Sequence, residues 1–145
     1  TLINKNNRKK IYIDRNDSTS SQSPQRYIVN EDMVKMHLVN KGFASVKLHE
    51  ITFKEQVDLF NNAECIVGLH GGGFGNIVFC KPKTKVIELR SVNAGPVIEN
   101  LATKNNLNYY SIIVEPEKLS RSKFPNQQGG INIPISSLDK ILGNN

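Results

Sequence analysis

Short apolar runs alternate with amphipathic stretches along most of this chain, and that alternation restricts the fold more than any other feature. Lys10 to Ile13, Phe43 to Leu48, Cys65 to Leu69, Lys85 to Leu89 and Tyr109 to Val114 read as strands. Helix signals fill the gaps between them. Asn30 is placed as an N-cap, with Glu31 and Asp32 in the first turn. Met33, Met36 and Leu38 then lie on or near one face, and Gly42 is the stop. Thr52-Phe53-Lys54-Glu55 is a capping box that predicts a helix to about Asn62. Pro96 to Asn105 reads as a further helix, and a short last one begins near Ser136. Strands joined through helices are parallel, and right-handed crossovers cover both sheet faces. The expectation is therefore an α/β fold, doubly wound and Rossmann-like, with three layers. Its mostly parallel five-stranded sheet has the order 2-1-3-4-5. Residues 16–26 and 115–134 lack this periodicity and read as loop and irregular chain. No repeat or internal boundary divides residues 1–145, which are read as one domain.

Composition matters here for what it excludes. No apolar run approaches the ~20 residues of a membrane span, and no charged-then-apolar leader opens the chain, so no transmembrane segment is expected. Cys65 and Cys80 stand outside any C-x-x-C pair or spaced histidine set. That argues against a zinc centre or disulfide scaffold and for buried free thiols in a reducing compartment. The net charge of +6 is concentrated. Lys5, Arg8, Lys9, Lys10, Arg15 and Arg26 form one group, and Lys81, Lys83, Lys85 and Arg90 a second. Such groups attract phosphates or merely solvate a surface. Without interleaved aromatics or a reading motif, specific nucleic-acid binding is not expected.

The segment Gly68-Leu69-His70-Gly71-Gly72-Gly73-Phe74-Gly75-Asn76 carries most of the chemistry. Glycines let a backbone approach a diphosphate closely and take positive φ where needed. A following helix offers unpaired N–H groups and the positive end of its dipole. His70 can donate to a phosphate oxygen, and Asn76 can brace the loop or bond a hydroxyl. The bland alternative is a tight turn packing helix on strand. The segment lacks the Gly-Lys-Ser/Thr ending of a Walker A loop, and a dinucleotide fingerprint belongs on the first strand. Order 2-1-3-4-5 puts the topological switch point between the first and third strands, where ligands bind outside the carboxyl ends. Arg15 and His70 fall at those ends. Arg15 and Arg26 offer the bidentate fork that phosphate accepts, with a surface ion pair as the alternative. Glu88, ending the fourth strand, can accept from ribose hydroxyls or pair with Arg90 or a lysine. His37 and His49 read as surface residues.

These residues in register resemble glycosyltransferase family 61, nearest its capsular-polysaccharide-biosynthesis type. The likeness runs from Ile11-Tyr12-Ile13-Asp14-Arg15 through Arg26, Asn30-Glu31-Asp32, Gly42-Phe43 and Phe53-Lys54-Glu55-Gln56. It continues through Ala63 to Gly73, Asn76, Phe79 and Val86-Ile87-Glu88-Leu89, covering roughly residues 10–114. Gly72, Phe74 and Gly75 depart from it, standing where the family usually carries alanine, leucine and a small polar residue. The extra glycines are expected to loosen the loop. The resemblance implies the carboxyl-terminal, donor-binding domain of a GT-B fold and inverting transfer from a nucleotide-diphosphate sugar without a required metal or cofactor. Arg15, His70 and the backbone of Gly71, Gly72 and Gly73 would hold the diphosphate, Arg26 and Asn76 would support it, and Glu88 would face the nucleoside. Glu50 to Phe53 would lie near the base. The acceptor-binding domain and the catalytic base are expected before Thr1, so the isolated chain would bind nucleotide sugar weakly without transferring it. A cytoplasmic location, free or peripheral to a membrane, goes with this reading. The competing reading is a non-catalytic nucleotide-binding or scaffold domain.

Overall fold

A computed structural model describes residues 8–15, 26–117 and 129–143. Five parallel strands make the central sheet: β1 (Lys9–Ile13), β3 (Phe43–Val46), β4 (Ala63–Leu69), β5 (Lys85–Ser91) and β6 (Asn108–Val114). They stand side by side as β3-β1-β4-β5-β6. These are the five expected segments in the expected order. The numbers shift only because a short strand absent from the expectation, β2 (Arg26–Ile28), precedes the second of them. With β7 (Gly129–Ile131) it forms a separate parallel ladder. Three residues leave too short a stretch for periodicity to register in either strand. Residues 16–25 and 118–128, also expected to be irregular, lie outside the described residues.

Helices cover both faces. Alternation along the strands sends Tyr12, Cys65, Val67, Ile87, Leu89 and Ile112 to one side. There they pack with Val34 and Leu38 of α1 (Glu31–Asn40) and Leu138 of α4 (Ile135–Leu142). Ile11, Ile13, Ile66 and Val86 point to the opposite side. They meet Phe60 of α2 (Phe53–Asn61), Phe74 and Ile77 of a 3-10 helix (Gly72–Phe79), and Ile98 and Ala102 of α3 (Val97–Lys104). The result is the three-layer, doubly wound architecture. Among the described residues no helix is long and apolar enough to cross a membrane.

Several local expectations change. In α1 it is Val34 and Leu38, one turn apart, that are buried, while Met33 and Met36 are 62% and 67% exposed. Asn30 sits at the N-cap position but makes no side-chain cap. Its amide instead pairs with the backbone of Ile133, donating at 2.8 Å and accepting at 2.9 Å, and so ties α1 to the segment before α4. The second strand ends at Val46 because Leu48–Glu50 forms a 3-10 turn. The capping box of α2 forms as expected, Glu55 N–H donating to Thr52 Oγ1 at 3.1 Å.

Candidate functional site

The parallel strands bring their carboxyl ends to one edge, and period-two alternation decides which side chains share a face there. Leu69 packs under α1, so His70, the next residue, turns to the α2 and α3 side. Ile87 and Leu89 likewise leave Glu88 and Arg90 on that side, and Tyr109 packs there too. Register aligns Gly68 with Glu88 and Glu88 with Ser111. One step further, His70 N–H donates to Leu89 C=O at 2.8 Å, setting His70 abreast of Arg90.

Arg15 leaves β1 at the switch point and reaches across to β4. Its Nη1–H donates to the His70 carbonyl at 3.1 Å. The guanidinium lies over Gly71: a Cβ there would stand 2.6 Å from Nη1 and 3.1 Å from Cζ. Gly71 is extended, so close approach and not backbone freedom requires a glycine at this point. The positive φ expected of the glycine run is absent among its described members; Gly42 and Gly143 are the described glycines that adopt it. The glycine run winds directly into the 3-10 helix, with Phe74 N–H donating to Gly71 C=O at 3.1 Å. Phe74 is fully buried with its ring 3.3 Å from where a Gly68 Cβ would be. The larger aromatic and the missing side chain at Gly68 fit each other. The amides of Gly72 and Gly73 precede the first intrahelical bond and face the helix's open end.

His70 is held from below. Its Nδ1 bonds Glu88 Oε2, and Tyr109 donates its hydroxyl to Glu88 Oε1. Glu88 is completely buried and stands behind His70. The anticipated Glu88 pairing with Arg90 or a lysine is replaced by these two bonds. With Nδ1 committed to Glu88, Nε2 is the other edge of the imidazole. Burial, and then the bond to Glu88, push the Tyr109 hydroxyl well above its ordinary range, so it stays a donor.

Asn76 lies farther along the 3-10 helix and donates to Gln56 Oε1 at 2.8 Å, while Gln56 donates to Leu48 C=O at 2.9 Å. This chain bolts the helix to α2 and to the turn after β3. Arg26 is exposed at the start of β2, in the separate ladder, and does not join Arg15 and His70 there. On the opposite face Lys35 pairs with buried Asp14 at 2.6 Å and Ser45 donates to the same carboxylate at 3.2 Å. That pair raises the Lys35 ammonium pKa and anchors the β1 end that carries Arg15.

A hollow of about 380 Å³ lies at the other end of the sheet, lined by Lys10, Phe43, Cys65 and Lys85. It is a seam: Lys85 donates to Ile141 C=O and Lys41 pairs with Asp139 across it. Ligand chemistry favours the carboxyl edge, where charged groups converge on backbone amides. Among the described residues, no three His, Cys, Asp or Glu assemble as metal ligands.

The family model described as Glycosyltransferase 61 matches residues 1–87, more than half of the 145. The chain belongs to glycosyltransferase family 61. No curated protein matches it. The family 61 match takes in Arg15, Arg26, His70 to Gly73 and Asn76, and it stops one residue short of Glu88. Tyr109, unassigned by sequence, joins the site only through strand register. Gln56 belonged to the family 61 likeness without a role, and Arg90, two residues past Glu88, could have been placed by alternation alone.

Proposed function

We propose that this family 61 chain is the donor-binding domain of an inverting, metal-independent glycosyltransferase that takes a nucleotide-diphosphate sugar in glycan or polysaccharide synthesis. One observation carries the reading: the Arg15 guanidinium is laid on Gly71 and bonded to the His70 carbonyl, which fixes a cation at the start of the 3-10 helix at the sheet's switch point. A guanidinium fork, an imidazole edge and backbone N–H groups together suit a diphosphate. During transfer the acceptor oxygen attacks the anomeric carbon. The bond from that carbon to the diphosphate breaks, and its electron pair moves onto the leaving phosphate oxygen. Arg15, His70 and the Gly72 and Gly73 amides stabilise that charge where it develops. Fixed protein cations supply the charge a metal would otherwise bring.

The acceptor proton must go to a base. The reading assigns that base to a further acceptor-binding domain, in a GT-B-like arrangement, while His70, backed by Glu88, serves the diphosphate. On this reading the chain alone binds nucleotide sugar weakly and transfers nothing. Isothermal titration with uridine, guanosine and other nucleoside diphosphates tests the proposal. Millimolar or tighter binding of at least one supports it, and no binding of any at millimolar ligand overturns it. Arg15→Ala and His70→Ala should each weaken binding by about 1–3 kcal/mol, and unchanged affinity in both would remove these residues from the site.

A further inference from the structure

Arg90 has no part in the reading above, and its surroundings are unusual. It follows Glu88 by two residues on β5, on the same face, and stands abreast of His70 across the β4–β5 pair. His70 is therefore flanked along the sheet edge by two arginines, Arg15 from β1 and Arg90 from β5. Arg90 Nη1 donates to Gly95 C=O at 3.1 Å, in the loop between β5 and α3. Its Nε is buried with no hydrogen-bond partner. Buried donors are almost always satisfied, and one left open marks a place where a ligand or water completes the bond. Glu88, the nearest carboxylate along the strand, is already engaged by His70 and Tyr109. Two guanidinium groups against one buried carboxylate leave the edge electropositive across a width of three strands, about 10 Å from β1 to β5. A single phosphate is too small to engage both sides of His70; a pyrophosphate is not.

We propose that Arg90 binds the second phosphate of the donor, so that Arg15 and Arg90 grip a diphosphate from opposite sides of His70 and distinguish it from a monophosphate. This rests on the donor-binding reading but is separable from it. The test is titration of the chain and of its Arg90→Ala and Arg90→Lys variants, each checked for native circular dichroism. The probes are UDP, UMP, GDP, GMP, inorganic pyrophosphate and inorganic phosphate. The expected result is an affinity loss of about tenfold or more for diphosphates and pyrophosphate in Arg90→Ala. Monophosphates and phosphate should change less than about twofold, and Arg90→Lys should recover part of the loss because it keeps charge without the fork. Equal losses for mono- and diphosphates, or unchanged diphosphate affinity, overturn the proposal. Pyrophosphate bound without any nucleotide, and weakened by Arg90→Ala, would uphold the role of Arg90 while refuting nucleotide binding. A chain that binds none of the probes overturns both.

Discussion

Replacing Gly71 with alanine should separate binding from stability. The new Cβ would lie 2.6 Å from Arg15 Nη1. Ordinary van der Waals separation is about 3.5 Å, so the guanidinium must retreat by roughly 0.9 Å. Its bond to the His70 carbonyl is already 3.1 Å long and does not survive that shift. The atoms displaced are the far end of a flexible side chain, and Gly71 is extended, a conformation alanine adopts freely. Folding therefore loses one partly exposed hydrogen bond, about 0.5–1.5 kcal/mol. It regains about 0.4–1 kcal/mol because alanine restricts the unfolded chain. Net stability should stay within about 1 kcal/mol of the parent. Ligand binding has no such compensation. Losing charge-assisted bonds from Arg15 to a phosphate costs about 1.5–3 kcal/mol, or roughly 10- to 150-fold in affinity for a nucleoside diphosphate. Urea unfolding and isothermal titration give the two numbers. Gly75→Ala is the control, since nothing lies within 4 Å of its Cβ, and it should move neither. Parental affinity in Gly71→Ala, or equal affinity losses in both variants, would refute the idea that Arg15 acts from its seat on Gly71.

Other consequences can be checked in parallel. Glu88→Ala removes a fully buried carboxylate and strands both His70 Nδ1 and the Tyr109 hydroxyl. It should cost about 3–5 kcal/mol in urea unfolding, and a cost under about 1 kcal/mol would show that the buried network contributes little. Thr52→Ala removes the exposed half of a formed capping box and should cost about 0.5–2 kcal/mol, with phosphate affinity unchanged. Burial pushes the Cys65 and Cys80 thiols from 9.0 to about 12. Their folded pKa lies above the unfolded one, so the stability they contribute is complete below about pH 9 and is lost as pH rises toward 12. Urea midpoints should fall over that window, and the fall should be shallower in a Cys65→Ala, Cys80→Ala double variant; identical profiles would contradict the burial argument.

Much of this fold could be read from the residues in order, because the signals are local. Five apolar runs, a capping box at Thr52 and a glycine stretch after Leu69 report short-range sterics and hydrogen bonding, which neighbours along the chain decide. Right-handed crossovers then leave few ways to arrange the strands, and Arg15 and His70 at the switch point follow from that. The chain order could not say what those residues touch. Asn30 carries every mark of a helix cap, yet it bonds Ile133, 103 residues away, because a second partner with a complete donor and acceptor pair outcompetes a single cap bond. Glu88 ends its strand at the site, but its bonds to His70 and Tyr109 come from two other strands and could not be read from its neighbours. Tyr109 entered only when β5 and β6 came into register. Sequence determined which segments become strands and where the glycines fall; tertiary structure decided which charges face one another, since that depends on register and sheet face across gaps that no local pattern spans.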